Sequence, residues 1–316
     1  MRREGSPWQG LGAVVVKELA DHLDGARMVL LSLLTVACAI VPLAIVFLAQ
    51  RDTTTEAPFL QLFASTVWML SLVIPLVAIG LGFDSISGEH SRRTLSRILA
   101  QPIYRDALLF GKFIAGMTVI ALNLLCLWLL VIGFGLIRLG LPPGFEEFAR
   151  SLIFVGLAIV YGGIWLALAM LFSVLFRSSA TAALLSLGMW LFASALWRFI
   201  AAILALVIAP PRGSLLLPTG QLIRDPLNEG WELALLRLSP NHLFEDAVSA
   251  ILSPTTHSLG PVLDQLREMQ GMVGDAAVPL RESLLIAWPL VVGLLAAVIV
   301  LFVAAYVSFQ RQEVRA

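Results

Sequence analysis

Charge is scarce in this chain. Asp, Glu, Lys and Arg make up 13% of its 316 residues, about half the share of a typical water-soluble domain. The 21 basic and 21 acidic side chains cancel, so there is no basic footprint for nucleic acid. Cysteine is nearly missing. Cys38 and Cys126 both fall in apolar runs, where they are expected to pack as small hydrophobes. Neither a disulfide framework nor a cysteine metal site is indicated. The four histidines, His22, His90, His242 and His257, are scattered. No pair has metal-ligand spacing, and there is no His-Glu-x-x-His. His242 with Glu245 and Asp246 reads as a solvated helix face. A Gly-x-Ser-x-Gly nucleophile elbow is absent. Gly111-Lys112 resembles the end of a P-loop, but the pattern requires glycine where Asp106 stands and Ser or Thr where Phe113 stands. ATP chemistry on this chain is therefore excluded. Carboxylates are nearly absent from the apolar runs, which speaks against a proton carrier with a buried acid relay.

What is abundant is apolar surface. Hydrophobic residues make up 59% of the chain and mean hydropathy is +0.91. No water-soluble fold hides that much, so the main solvent must be lipid. A span needs about 20 apolar residues. Six runs qualify: 28–50, 60–83, 108–137, 152–176, one starting near 180, and 284–309. Each must be helical, because lipid offers backbone groups no partner. The first run is too long and starts too late for a cleavable signal, and no small-residue cleavage pattern follows it. The fifth run is too long for one crossing and carries Arg198. The favoured reading is a crossing over 180–197 followed by a separate short helix, Phe199 to Ile208, re-entrant or on the outer surface. The alternative is one long tilted helix with Arg198 snorkelling to the interface.

Orientation follows from Lys and Arg. With six spans, one side holds Arg2, Arg3, Lys17, Arg27, Arg92, Arg93, Arg97, Arg105, Lys112, Arg177, Arg311 and Arg315. Outside the long segment 209–283, the other side holds Arg51, Arg138 and Arg150. Both termini are therefore expected in the cytoplasm, on the inner membrane. Residues 1–27 form a cytoplasmic arm whose Leu11, Val14, Val15, Leu19 and Leu23 repeat at helical spacing, with Lys17, Glu18, Asp21 and Asp24 on the other face. Such a helix suits the headgroup plane. The 209–283 segment is expected to form two or three short amphipathic helices capping the outer mouth. Ser239 with Pro240 is expected to cap one of them, with Leu243, Phe244, Val248, Ile251 and Leu252 as its stripe. Val262, Leu263, Leu266 and Met269 mark another. Gly80, Gly82, Gly133, Gly135, Gly162 and Gly163 either let spans pack closely or line a path. The expected fold is a single all-α transmembrane domain over 1–316.

One stretch stands apart: FDSISGEHSRRTLSRILAQPIYRDALLFGK, residues 83–112. It is polar and basic, yet lies between two spans. Residues 84–100 read as a helix on the cytoplasmic side, stopped at Gln101-Pro102. The stretch resembles the membrane subunits of type-2 ABC transporters. The resemblance rests on Asp84, Ile86, Gly88-Glu89, Thr94-Leu95, Ile98-Leu99, Pro102, Arg105 and Gly111-Lys112. Two positions depart: Ile98 replaces a leucine, and Arg93 stands where glycine is usual. Lys17-Glu18-Leu19 is similar to the family's elbow helix, and LFRSSATAALLS around Arg177 to its second cytoplasmic turn.

The resemblance implies the transmembrane half of a pump, most simply an exporter. Two copies of a separate ABC ATPase would dock beneath it, carrying ATP and Mg, with no cofactor on this chain. A second permease subunit, the same or a relative, would pair beside it. The segment 84–107 would receive the push of the ATPase. Its contact residues would be Gly88, Glu89, Arg92, Thr94, Leu95, Arg97, Ile98, Leu99, Pro102 and Arg105. Two other readings stay open: a secondary transporter or membrane-embedded enzyme without an ATPase, and a non-transporting subunit that transmits force. An apolar pathway suggests an amphipathic or lipid-like cargo.

Overall fold

The computed structural model describes residues 8, 10–49, 57–92, 104–210, 215–216, 222–223, 225–253 and 278–311. Its helices are α1 (Leu11–Leu23), α2 (Ala26–Ala49), α3 (Pro58–Gly82), α4 (Ser87–Ser91), α5 (Arg105–Leu139), α6 (Phe145–Leu175), α7 (Ser179–Ile208), α8 (Pro226–Leu236), α9 (Pro240–Leu252) and α10 (Leu280–Arg311). A two-rung antiparallel ribbon pairs Leu215 with Ile223 and Leu216 with Leu222. The chain is an all-α polytopic membrane protein. Among the described residues, α3, α5, α6, α7 and α10 are each long and apolar enough to cross a bilayer. α2 occupies the first apolar run, and its 24 residues would reach about 36 Å at ~1.5 Å per residue.

The spans alternate in direction, so the bundle has two ends. One end carries α1 and α4; the other carries the start of α6. The hub is α6, with 72% of its most apolar stretch buried, against 11% for α7 at the edge. It packs against α3 and α10, and buries Phe154, Tyr161 and Trp165 almost completely. Lipid gives helices no hydrophobic drive to associate, so close approach and interhelical hydrogen bonds do the work. A Cβ on Gly82 would come within 2.9 Å of the Ala169 Cβ, and one on Gly135 within 2.5 Å of the Phe59 ring. Gly80 and Gly162 are similarly crowded by Leu31 and by Ile120. Of the two readings of the small residues, packing fits these positions. Gly133 meets nothing within 4 Å.

The fifth run departs from the favoured expectation. Ser179 to Ile208 is one continuous helix, with no break before Phe199. A π turn at Phe192–Leu196 lies just before Arg198. Each π turn inserts an extra residue into the hydrogen-bond ladder, so the helix bends without ending.

The segment beyond α7 departs further. Its described helices, α8 and α9, fold back into the bundle. The Asn228 amide donates to the Ala209 carbonyl at 2.8 Å, and the Trp197 indole to the Leu235 carbonyl at 2.9 Å. α8 therefore descends antiparallel along α7. Ser239 makes no side-chain cap for α9. Its hydroxyl instead donates to Ala193 in the π turn at 3.0 Å. α9 then climbs back between α3, α6 and α10. The Tyr161 hydroxyl lies 2.8 Å from both the Ser71 carbonyl and the Asn241 side-chain amide. The Phe244 ring stacks on Tyr161 with centroids 4.4 Å apart. The buried stripe of α9 is Phe244, Val248, Ile251 and Leu252, as the spacing indicates. The stripe at 262–269 lies outside the described residues.

The α8–α9 hairpin reaches deep. Tyr161 and Ser71 lie nine and ten residues along their helices from Met170 and Leu81, which line a cavity at the α1 end. At ~1.5 Å per residue this places the tip about 14–15 Å along the bundle from that cavity. Arg150 fastens the opposite end. Its guanidinium, only 1% exposed, donates to the Ile251 carbonyl at 2.6 Å, to the Val278 carbonyl and to the Ser283 hydroxyl. Glu146 balances its charge at 2.8 Å.

Candidate coupling site at the α1 end

The polar stretch at 83–112 meets the bundle where α1, α4, α5 and α6 converge. α5 starts with Arg105 and runs through Gly111 and Lys112. A Cβ on Gly111 would lie 2.6 Å from Val14 Cγ1, so glycine is what lets α1 lie directly on α5. The next residue then reaches across. The Lys112 ammonium, 6% exposed, lies 2.9 Å from a Glu18 carboxylate oxygen on α1 and 2.7 Å from one of Glu89 on α4. A charge in an apolar helix must be paired, and here one cation holds two elements. The Gly-Lys pair is a structural clasp.

Glu18 is thus turned inward, contrary to the expected polar outer face of α1. It is 8% exposed. Burial pushes its carboxyl up, but the Lys112 ammonium beside it prevails and holds it below the ordinary 4.5. Lys17 makes two further ion pairs, to Glu18 at 2.9 Å and Asp21 at 3.0 Å. Burial pulls its ammonium down, and the bonds to Glu18 and Asp21 outweigh that and raise it above 10.5. Trp8 sets its ring edge-on to Phe110 at 5.2 Å, anchoring the start of the arm.

On the other flank, Ser173 of α6 receives the start of α4. Its hydroxyl accepts from the Ile86 and Ser87 backbone N–H groups, both at 3.0 Å, and lies 3.1 Å from the Ser87 hydroxyl. These are donors that the first turn of a helix leaves without internal partners. Ser91 donates to the Arg177 carbonyl at the other end of α4. α4 is therefore fastened to α1 and α5 through charge, and to α6 through serine. Between these elements is a cavity of about 310 Å³ lined by Lys17, Glu18, Asp84, Glu89, Arg92 and Lys112, among others.

The residues singled out from sequence divide three ways. Gly88 is buried, and a Cβ there would meet Asp84 at 3.3 Å. Glu89 points into the clasp, while Arg92 is exposed at the end of α4. Arg105 opens α5. Thr94, Leu95, Arg97, Ile98, Leu99 and Pro102 lie outside the described residues, so the helix expected over 84–100 is described only as α4 and its cap, Arg92. Sequence reasoning quoted Lys112 and Glu18 but did not place them in the site, and it missed Ser173. A lysine inside an apolar run was the available signal; a serine in a span carries none.

The ABC-2 family transporter protein family matches residues 12–314. The chain belongs to the ABC-2 transporter family. Two relatives are described as the probable ABC transporter permease protein NosY. That of Pseudomonas aeruginosa is 31% identical over 186 residues, covering 56% of this chain and 64% of the relative. That of Stutzerimonas stutzeri is 29% identical over 180 residues, covering 55% and 63%. The chain thus matches under two thirds of the length of each. As an ABC-2 family member it is a multi-pass membrane protein. Membership points to a transport subunit rather than an enzyme.

Proposed function

We propose that this chain is the permease of an ABC exporter, moved by ATP hydrolysis on two separate ATPase subunits that carry the ATP and Mg. A second permease, a copy or a relative, pairs with it. Its α1 end faces the cytoplasm, with both termini there, and the protein sits in the inner membrane with six crossings. The observation that carries this is the fastening of α4 to three separate elements. A push on α4 moves α1 and α5 through Lys112 and α6 through Ser173, so force is not lost in a slack loop. Arg92 and the residues through Arg105, including Thr94, Leu95, Arg97, Ile98, Leu99 and Pro102, form the ATPase contact. Gly88 and Glu89 connect that contact to the bundle. The positive excess at this end and the permease relatives support the same reading.

The test is co-expression with a candidate soluble ABC ATPase from the same organism. Wild-type permease should retain the ATPase through detergent extraction and stimulate its hydrolysis in lipid discs. Arg92→Glu should insert normally and lose both properties. Full retention and stimulation in that variant would move the docking surface elsewhere.

A further inference from the structure

The start of α5 makes a second polar attachment besides the one at Lys112. Asp106 stands in its first turn. One carboxylate oxygen, Oδ1, accepts from the Tyr306 hydroxyl at 3.0 Å and from the Gln310 side-chain amide. Tyr306 and Gln310 lie four residues apart on α10, so they share one face of that helix. Further along, the Phe110 ring meets Phe302 edge-on at 4.9 Å and Tyr306 at 6.0 Å, and Phe113 meets Phe302 at 4.5 Å. Gly163 of α6 has both helices against it. A Cβ there would lie 3.1 Å from the Met117 sulfur of α5 and 3.5 Å from Val298 Cγ2 of α10. Rising numbers on α5 meet falling numbers on α10, so the two run antiparallel side by side from Asp106 onward.

An acid in the first turn of a helix is favoured by the helix dipole alone. That accounts for where the carboxylate stands. It does not account for two donors converging on one oxygen from another span. Lipid gives apolar helices no drive to associate, so interhelical hydrogen bonds matter, and a charged acceptor makes the stronger ones. Asp106 follows Arg105 directly, at the end of the segment 84–107. From this latch α10 runs along α6 and α9. Gly293 of α10 lies against α9, where a Cβ would sit 3.4 Å from the Leu243 side chain. Lys112 already ties the segment to α1, and Ser173 ties it to α6. Asp106 adds the last span.

We infer that Asp106 is a positioning residue for coupling: it latches the α1 end of α10 to the start of α5, so that a push on segment 84–107 moves the last span and, through it, the α8–α9 hairpin. This role rests on the ATPase-driven reading, but the latch itself is measured without ATP or a partner, so the two fail separately.

The first measurement is hydrogen exchange on the permease alone in lipid discs. Asp106→Ala should speed exchange several-fold over Tyr306–Arg311, with α6 unchanged. Unchanged exchange there overturns the latch. The second is stimulation of the ABC ATPase. Asp106→Ala should retain the ATPase through detergent extraction and lose most of its stimulation. Loss of retention would assign Asp106 to the docking surface and overturn the positioning role. Tyr306→Phe with Gln310→Met removes both donors and leaves Asp106 in place. That pair should lose as much stimulation, and adding Asp106→Ala to it should lose no more. Losses that multiply would make the two sides independent and overturn the role. Asp106→Asn, which keeps an accepting oxygen, should restore most of the stimulation. If Asp106→Ala does not assemble, the Tyr306→Phe, Gln310→Met pair takes its place in both measurements. A wild type that stimulates no ATPase would overturn the ATPase-driven reading instead, and the exchange result would still decide the latch.

Discussion

The Lys112 ammonium lies 2.7 Å from the Glu89 carboxylate, joining the start of a span to a five-residue helix outside the bundle. Both side chains are nearly buried, at 5% and 12% exposure. Removing the cation takes from Glu18 and Glu89 the buried ammonium they share, leaving Glu18 with Lys17 on its exposed side. Breaking a buried pair costs about 3–5 kcal/mol. Lys112→Met should therefore lower the detergent melting temperature and abolish ATPase stimulation. Lys112→Arg should restore most of both. A stable Lys112→Met with full stimulation would show that the clasp transmits nothing.

Gly111 tests the same joint by shape alone. Gly111→Val puts a side chain where Val14 already sits. α1 must lift, and Lys112 then loses Glu18 before it loses Glu89. Overpacking of this kind costs about 1–3 kcal/mol. Hydrogen exchange along α1 should quicken in this variant and stay slow in wild type.

Ser173→Ala removes one hydroxyl and leaves the Ile86 and Ser87 N–H groups without their acceptor. A buried donor left unsatisfied costs about 1–3 kcal/mol. The local prediction is faster hydrogen exchange at Ser87–Ser91, with α6 itself unchanged. Stimulated hydrolysis should fall while basal hydrolysis by the ATPase stays the same. Ser173→Thr, which keeps the hydroxyl, should rescue it.

The arm should also respond to pH in a defined direction. The Glu18 carboxyl is held below its ordinary 4.5 by Lys112. Its stabilisation is therefore complete above pH 4.5 and is lost as pH falls through the lowered value. Lys17, raised above 10.5 by Glu18 and Asp21, behaves the opposite way: its share is complete below pH 10.5 and is lost as pH rises beyond it. Thermal melts of wild type and Glu18→Gln should converge in acid and separate near neutrality. Parallel curves would mean that the pair contributes nothing.

At the far end, Arg150→Met should loosen the hairpin. It strands the Ile251 and Val278 carbonyls together with Glu146. The expected readout is protease sensitivity in the segment between α9 and α10, with the spans still inserted. Arg150→Lys should rescue only in part, because one ammonium cannot reproduce the planar fork of donors.

Lipid immersion, the helical spans and the polar interruption at 83–112 are determined by the sequence alone. Hydropathy over about 20 residues and the demand that backbone bonds close within a helix are local rules, so local sequence answers them. The apolar stripe of α9 was legible for the same reason. What only the tertiary structure decided is where polar groups go. Ser239 looked like a helix cap because a cap is judged from neighbours in sequence, yet its hydroxyl serves the π turn of α7. Glu18 looked solvent-facing because helical spacing names a face without saying what meets it. Lys112 meets it, and that partner lies far away in the chain. A charge buried in a membrane is explained by its partner, and partners are assigned by packing.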